Sequence, residues 1–506
     1  MSFQTRVLSV ISLLILVMFI TGCSSENDTQ VQVPQTQSQP TVAATPPPPP
    51  VAEPAELVIR GGILLDMTSD EPNPTPLKGM VVHDRKIAKI IPSNSSDSLP
   101  EAVNTIDAEG KYILPGLIDG HVHFRVWLPG APIWKRASIQ YGITTLFDTG
   151  PCGEICDETG QEPNEWIKAY KDFMNSNPDN PDGPSLYITG RRIQDKGGKH
   201  PVGERLESRE EIANYMDSLV ELGVDGIKVE SSVPGDMRAL VMEEANARGL
   251  PVVGHSSDAM ETINAGMKFI EHMWPITSSA LLSECPEPLS SRRCDYLIDL
   301  DKAPAVIQAM VDNTVYLNPT LYGGWAAFAD SMASGAQEDE RAMQPGELYG
   351  DMPERYKEGV RRWWARAGNM EAEALETTKK SLTRVGEFLK IFSDAGGRIL
   401  AATDAGDDKL VGVSLHREMK MIADAGVDPY KVLLGATRWP AEMSYKDDII
   451  GTIEEGKHAD ILILGADPTE NIINTRNIQY VVRLGKVLRS PDDCSIIIPP
   501  MSTTCN

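Results

Sequence analysis

The apolar positions of this 506-residue chain change period twice along its length. From about residue 56 they alternate with polar ones in short runs, "ELVIRGGILLD" and "GMVVHDRKIAKIIP", punctuated by turn residues. That is the period of half-buried strands. "NTIDAEGKYILPG" continues the pattern, and it returns near the far end in "IGTIEEGKHADILIL" and "IQYVVRLGKVL". Neither set has helices between its strands. The two are expected to form one small β-sandwich domain, residues 56–112 together with 445–506, around a central insertion.

Residues 113–444 behave differently. Eight apolar, strand-like runs stand in order: "LIDGHVHF", "ITTLFDTG", "LYITG", "GIKVE", "PVVGHS", "KFIEHM", "VYLNPT" and "ILAATDAG". The connecting stretches, such as "REEIANYMDSLVELG" and "DMRALVMEEANARG", carry their apolar residues at helical spacing. Each closes on a glycine, where a left-handed cap is needed. Gly249 is followed by Leu250 and Pro251, a sharp stop before the next strand. Eight strands alternating with helices predict an α/β fold, a (β/α)8 TIM barrel. The stretch after the seventh strand, from about Leu321 to Gly397, is long and carries Trp325, Trp363 and Trp364. It reads either as a lid or as a helical hairpin packed on the barrel.

The start of the chain has its own pattern. Arg6 precedes the apolar run "VLSVISLLILVMFI" and then "TGCSS", a secretory signal over residues 1–22. An uncleaved membrane anchor is the alternative, although the run is shorter than the ~20 apolar residues that span a bilayer. "ITGC" resembles the lipobox of bacterial lipoproteins, which implies lipidation of Cys23 as the first mature residue. Ser24 resembles the pattern of lipoproteins sorted to the outer membrane, so the expected location is the bacterial cell envelope, facing the periplasm or the surface. Residues 23–55 are rich in Gln, Thr, Ser and Pro and end in a proline run. They lack the apolar content to fold and read as an extended tether.

Export changes how the remaining cysteines read. They fall into local pairs, Cys152 with Cys156, Cys285 with Cys294, and Cys494 with Cys505. In an oxidising compartment these are expected as disulfides. Zinc is the competing reading, but the tight C-x-x-C spacing of a structural site is missing. The formal charge of −25, with no long basic run, argues against a nucleic-acid partner.

The candidate chemistry begins in "GLIDGHVHF". Side chains alternate along a strand, so His121 and His123 point the same way. Barrels of this kind place their chemistry at the C-terminal strand ends. Those ends here also carry Lys228 on strand four, His255 on strand five, His272 on strand six and Asp404 on strand eight. Each alone has an ordinary reading: a hydrogen-bonded core histidine, a surface lysine, an N-capping aspartate. But four of only eight histidines converge there, which points to a metal site.

In that order these residues resemble the amidohydrolase superfamily in its binuclear form: H-x-H, a carboxylated lysine, two further histidines and an aspartate. Within it the chain is similar to imidazolonepropionase-related peptidases, whose lysine sits in a similar "IKV"-like strand. "SLHREMKMIADAGVDPYKVLLGAT" resembles their last barrel helices, which implies a structural role for His416. Where many relatives carry a Gly-Gly-His-Gly turn after strand three, this chain has "RRIQDKGGKHPVG". His200 in that stretch, and Tyr322 after strand seven, are the candidate substrate contacts.

The resemblance implies two divalent metal ions, with imidazole and carboxylate ligands that suit zinc. His121 and His123 with Asp404 would bind the more buried ion, and His255 with His272 the more exposed one. Lys228, carboxylated by carbon dioxide, would bridge them. A metal-bridging hydroxide would attack, and Asp404 would carry a proton to the leaving amine. With that balance the site is left at about +1, which suits a small substrate bearing a carboxylate. The implied reaction is hydrolysis of an amide C–N bond in a dipeptide or an N-acyl amino acid. Two alternatives stay open. One is a mononuclear deaminase or cyclic-amide hydrolase of the same superfamily, with Lys228 unmodified. The other is a non-catalytic surface-binding lipoprotein. Membrane contact is expected through the lipid anchor only, and an oligomer is compatible with the sequence.

Overall fold

The alternating runs at the two ends of the chain become strands of one sheet. The computed structural model describes residues 54–123, 131–150, 167–168, 171–172, 175, 181–195, 197, 203–280, 294–406 and 408–491. The N-terminal strands are β1 (Ala55–Arg60), β2 (Ile63–Leu64), β3 (Thr75–His83), β4 (Lys86–Pro92), β5 (Ala102–Asp107) and β6 (Tyr112–Pro115). The barrel strands follow as β7 (Leu117–Val122), β8 (Ile143–Asp148), β9 (Ser185–Ile188), β10 (Ile193–Gln194), β11 (Glu204–Arg205), β12 (Ile227–Val229), β13 (Val252–Gly254), β14 (Phe269–Glu271), β15 (Tyr316–Asn318) and β16 (Arg398–Ile399). The chain then returns to the first sheet with β17 (Ile461–Leu464), β18 (Ile478–Arg483) and β19 (Lys486–Arg489).

That sheet runs β19-β18-β17-β6-β2-β3-β1-β5, with β4 paired to β3. β17 reads Ile-Leu-Ile-Leu and is buried at every position. Alternation explains why no polar residue is needed. Ile461 and Ile463 pack with Leu57, Ile59, Met80 and Ile113 in an apolar cluster on one face of the sheet. Leu462 and Leu464 pack on the other face with Leu114, Leu117 and Val481, which belong to the barrel core. Each such side chain contributes about 1.5–3 kcal/mol. A slip of one residue against β6 would exchange the two faces.

All eight predicted barrel strands are present. β7, β8 and β9 pair in parallel, as do β10, β12 and β13, and β14, β15 and β16. Parallel bridges from Thr189 to Gly226 and from Val122 to Ala405 link these groups around the ring. β10 and β11, after the third strand, are additions that the sequence reading did not contain. The helices obey their local signals. Ser208 caps Arg209–Glu221 in a capping box with Glu211, and Ile212, Met216 and Leu219 form its buried face. Gly223 and Gly249 follow their helices with φ of 70° and 67°, the left-handed conformation that a glycine adopts without strain.

The Leu321–Gly397 segment is a set of helices: Leu321–Trp325, Gly335–Ala342, Glu354–Trp364 and Ala372–Asp394. Trp325 and Trp363 are buried, and the Trp364 indole donates to Asp339 at 2.7 Å. Arg417, on the barrel helix Val413–Asp424, reaches Asp339 at 2.7 Å and Glu338 at 3.2 Å. The segment is therefore packed on the barrel through its aromatics and a buried ion pair. Among the described residues no helix is long and apolar enough to cross a membrane. Cys23, Cys152, Cys156, Cys285, Cys494, Cys505 and His200 lie outside the described residues. Cys294 is fully buried and disulfide-bonded.

Asp295, beside it, is buried and accepts a hydrogen bond from the Thr277 hydroxyl. Burial pushes its carboxyl up from 3.8 to about 7. The folded protein thus holds this proton more tightly than the unfolded chain. The resulting stability is present in full below about pH 3.8 and is lost as pH rises through about 7. Asp295→Asn should remove that slope. Melting temperatures measured across this range should shift in favour of the variant as pH rises, and a pH-independent difference would contradict the assignment.

Candidate metal centre

β7 ends with His121 and His123 on one face. Their rings meet edge to face, and the two Nε2 atoms are 3.0 Å apart. Asp404 Oδ1 lies 3.1 Å from His123 Nε2 and 3.5 Å from His121 Nε2. Backbone bonds fix this meeting. Asp404 N–H donates to the His121 carbonyl at 2.9 Å, and His123 N–H to the Ala405 carbonyl at 2.7 Å. His255 and His272, which follow β13 and β14, bring their Nε2 atoms to 3.2 Å. The His121 and His272 rings are 5.9 Å apart, so the two groups adjoin. Lys228, in β12, is fully buried, with Nζ 3.5 Å from the Thr149 hydroxyl. His272 and Asp404 have φ of 63° and 50°, a region that non-glycine residues enter rarely.

Three of the four histidines have Nδ1 tied on the outer side. His121 Nδ1 meets Glu271 Oε1, which also accepts from Asn318 Nδ2 at 2.7 Å. His255 Nδ1 meets Glu230 Oε2 at 2.8 Å, and Arg192 holds the other oxygen of Glu230 at 2.8 Å. His272 Nδ1 meets the Thr320 hydroxyl at 2.6 Å. Assigned from these acceptors, the Nδ1 atoms carry the protons and the Nε2 lone pairs face the cluster. Beneath, the buried Asp119 accepts from Thr403 N at 3.1 Å, from Thr403 Oγ1 at 2.8 Å and from His121 N at 3.4 Å. The sequence reading named none of Asp119, Arg192, Glu230, Glu271, Asn318 or Thr320 as site residues. A signal existed for Glu230, which stands two residues after Lys228 and so on the same strand face.

Electrostatics keep the imidazoles neutral. Burial, then the Lys228 ammonium, hold His121 well below the usual imidazole range. Burial does the same for His123 and His272. Lys228 is lowered by burial, against the opposing pull of Glu271. Burial acts to raise Asp404, but the hydrogen bond from His123 and the charge of Lys409 hold it well below the carboxylate range. Burial pushes Glu271 up to about 7.

These residues fit a divalent cation. One ligand atom each from His121, His123 and Asp404 lies within 4.8 Å of the others. Two ligands bound tetrahedrally to one zinc ion sit ~3–3.5 Å apart, the spacing of both imidazole pairs. Imidazole and carboxylate donors suit zinc among the common metals.

Two other residues are placed elsewhere. His416 uses Nδ1 on Thr475 at 2.9 Å and Nε2 on the Tyr141 carbonyl at 2.8 Å, a structural arrangement. Tyr322 is fully buried, its ring packed on Trp363 and its hydroxyl accepting from Arg417 at 3.1 Å. The fold uses Tyr322 to seat the helical insertion, so its hydroxyl is not presented as a substrate contact.

A parallel barrel with clustered histidines, lysine and aspartate at its strand ends defines a barrel of the metal-binding amidohydrolase type. The chain belongs to the amidohydrolase family, which it matches over residues 112–488. It is 24% identical over 465 residues to the adenine deaminase of Ruegeria sp. (strain TM1040), covering 88% of this chain and 59% of that protein. The chain thus spans about three-fifths of the length of this curated relative. Among solved structures it is similar to a Xaa-Pro dipeptidase with bound methionine, at 19% identity and a TM-score of 0.56, covering 85% of this chain and 99% of that one. It is also similar to a putative prolidase from Bifidobacterium longum, at 18% identity and a TM-score of 0.59, covering 86% and 95%.

Asp119, in β7, adds side-chain bonds to Thr403, in the segment after β16. Asp119→Ala would strand the N–H and hydroxyl of Thr403, at roughly 1–3 kcal/mol for each buried group left unsatisfied. Urea unfolding should register this as a lower midpoint with an unchanged slope. Asp119→Asn, which keeps an acceptor oxygen, should lose less.

Proposed function

We propose that the chain is a metal-dependent hydrolase of a C–N bond, an amide in a dipeptide or N-acyl amino acid. The observation that carries this reading is Lys228. It is fully buried and interacts electrostatically with His121, His255, His272, Glu271 and Asp404. A lysine depressed by burial exposes a neutral amine, which adds carbon dioxide and releases one proton to become a carbamate. His121, His123 and Asp404 would hold one ion, His255 and His272 a second, and carboxylated Lys228 both. Two divalent cations, zinc by the donor set, supply Lewis acidity and a water of low pKa. Asp404, ionised and held against His123, accepts a proton from the attacking water and returns it to the leaving nitrogen. Glu230, Glu271 and Thr320 keep the imidazoles oriented throughout.

A second reading, a deaminase, is favoured by the adenine deaminase relative, whose similarity covers 88% of this chain. It breaks an exocyclic C–N bond with the same donors. Assays of the metal-loaded protein on dipeptides, N-acyl amino acids and adenine separate the two. Ammonia release from adenine without cleavage of the other substrates would replace the first reading by the second.

On the proposed reading Lys228→Ala collapses both metal content and turnover, and a short carboxylate such as propionate restores part of each. Full metal content with near-normal turnover in Lys228→Ala, measured by elemental analysis and kinetics, would overturn the bridging role.

The location proposed is the cell envelope, with Cys23 lipidated and residues 23–55 as a tether. Cys152–Cys156, Cys285–Cys294 and Cys494–Cys505 would then pair in an oxidising compartment. Cys23→Ala should release the protein from the membrane fraction or block its maturation. Unchanged membrane association and processing would remove the anchor from the proposal.

A further inference from the structure

The triplet His416-Arg417-Glu418 lies on the helix Val413–Asp424, and all three side chains are buried. His416 binds Thr475 and the Tyr141 carbonyl, while Arg417 binds the helical insertion. Glu418 faces the loop after β15. Its Oε1 accepts from Leu321 N at 2.9 Å, and its Oε2 accepts from Tyr322 N. The residue just before these two amides is Thr320, held at φ 47° and ψ 49°. A β-branched residue rarely adopts that left-handed conformation, so something must hold it there. The Thr320 hydroxyl is the atom that meets His272 Nδ1 at 2.6 Å. His272 is itself at φ 63°, and its ring is stacked on Trp274 with centroids 4.2 Å apart.

We propose that Glu418 is a positioning residue for His272: by gripping the N–H groups of Leu321 and Tyr322 it holds Thr320 in its left-handed turn, and the Thr320 hydroxyl fixes the His272 ring with Nε2 facing the cluster. Glu418 acts at two removes, through backbone and then through hydroxyl. Its influence should therefore fall on the ion held by His255 and His272, and not on the one held by His121, His123 and Asp404. A purely structural role would lower the melting temperature and leave the ratio of the two affinities unchanged. The inference rests on the proposed reading of His272 as a metal ligand.

The test is calorimetric titration of the metal-free full-length protein with zinc. Wild type should bind two ions, and His272→Ala should lose one. Glu418→Gln, which replaces one acceptor oxygen by a donor facing an N–H, should weaken that same ion by ~10–100-fold and leave the other unchanged. Thr320→Val should give the same selective loss. The double variant should be no worse than either single one, because both remove one link of the same chain. If Glu418→Gln does not fold, Glu418→Asp, with a carboxylate too short to reach both N–H groups, should show the same selective loss. A folded Glu418 variant with both affinities intact, or with both lowered equally, would overturn the positioning role. So would additive losses in the double variant. If His272→Ala leaves zinc binding unchanged, the ligand assignment of His272 fails instead, independently of Glu418.

Discussion

A neutral imidazole offers one lone pair and one proton, and the barrel mouth is built around deciding which nitrogen carries which. Each of His121, His255 and His272 faces its neighbours with Nε2 because its Nδ1 has an acceptor behind it. The acceptors come from other strands. Glu271, adjacent in sequence to His272, serves His121 across the ring, and Glu230 of the fourth strand serves His255 of the fifth. Thr320, after the seventh strand, serves His272 of the sixth. The strand ends that carry chemistry therefore also orient each other's chemistry, and the closure of the barrel and the tautomers of the site become one problem. Burial makes the arrangement strict, since a buried donor left without its acceptor costs more than the bond itself contributes.

This interdependence also explains what could be read from residues alone. Apolar period located the eight barrel strands, and the strand ends located His121, His123, Lys228, His255, His272 and Asp404. Period reports a strand's own two faces. It does not report which residue stands across the ring, so Glu271 and Asn318 were invisible as partners of His121. The left-handed turns at His272, Thr320 and Asp404 carry no glycine to announce them. They exist because backbone bonds from neighbouring strands impose them, as the Ala405 and His121 carbonyls do around Asp404. Tyr322 was misjudged for a related reason. Its place in the chain, just past a strand end, suggested the mouth, while its ring turns away into the helical insertion.

The helix Val413–Asp424 illustrates a second limit. The resemblance implied a structural role for His416, but nothing in the sequence marked Arg417 and Glu418 as buried, because charged side chains seldom lie fully inside a protein. Here the three project in different directions and each meets a different element: the turn between β17 and β18 through Thr475, the insertion through Asp339, and the loop after β15 through the amides of Leu321 and Tyr322. One helix thus carries the contacts to all three.

The sheet built from both chain ends has a consequence for how the protein is made. β6 pairs with β17, Leu114 opposite Leu462. The ribosome therefore releases the first of these strands roughly 350 residues before its partner, an interval of ~20–70 s at ordinary rates of elongation. For all that time the growing chain carries an open, apolar strand edge of the kind that recruits other chains. The barrel also closes late, because β7 meets the segment after β16 through Val122 and Ala405. Until β17 emerges, Ile113 and Leu114 lack the strand that pairs with them in the finished sheet.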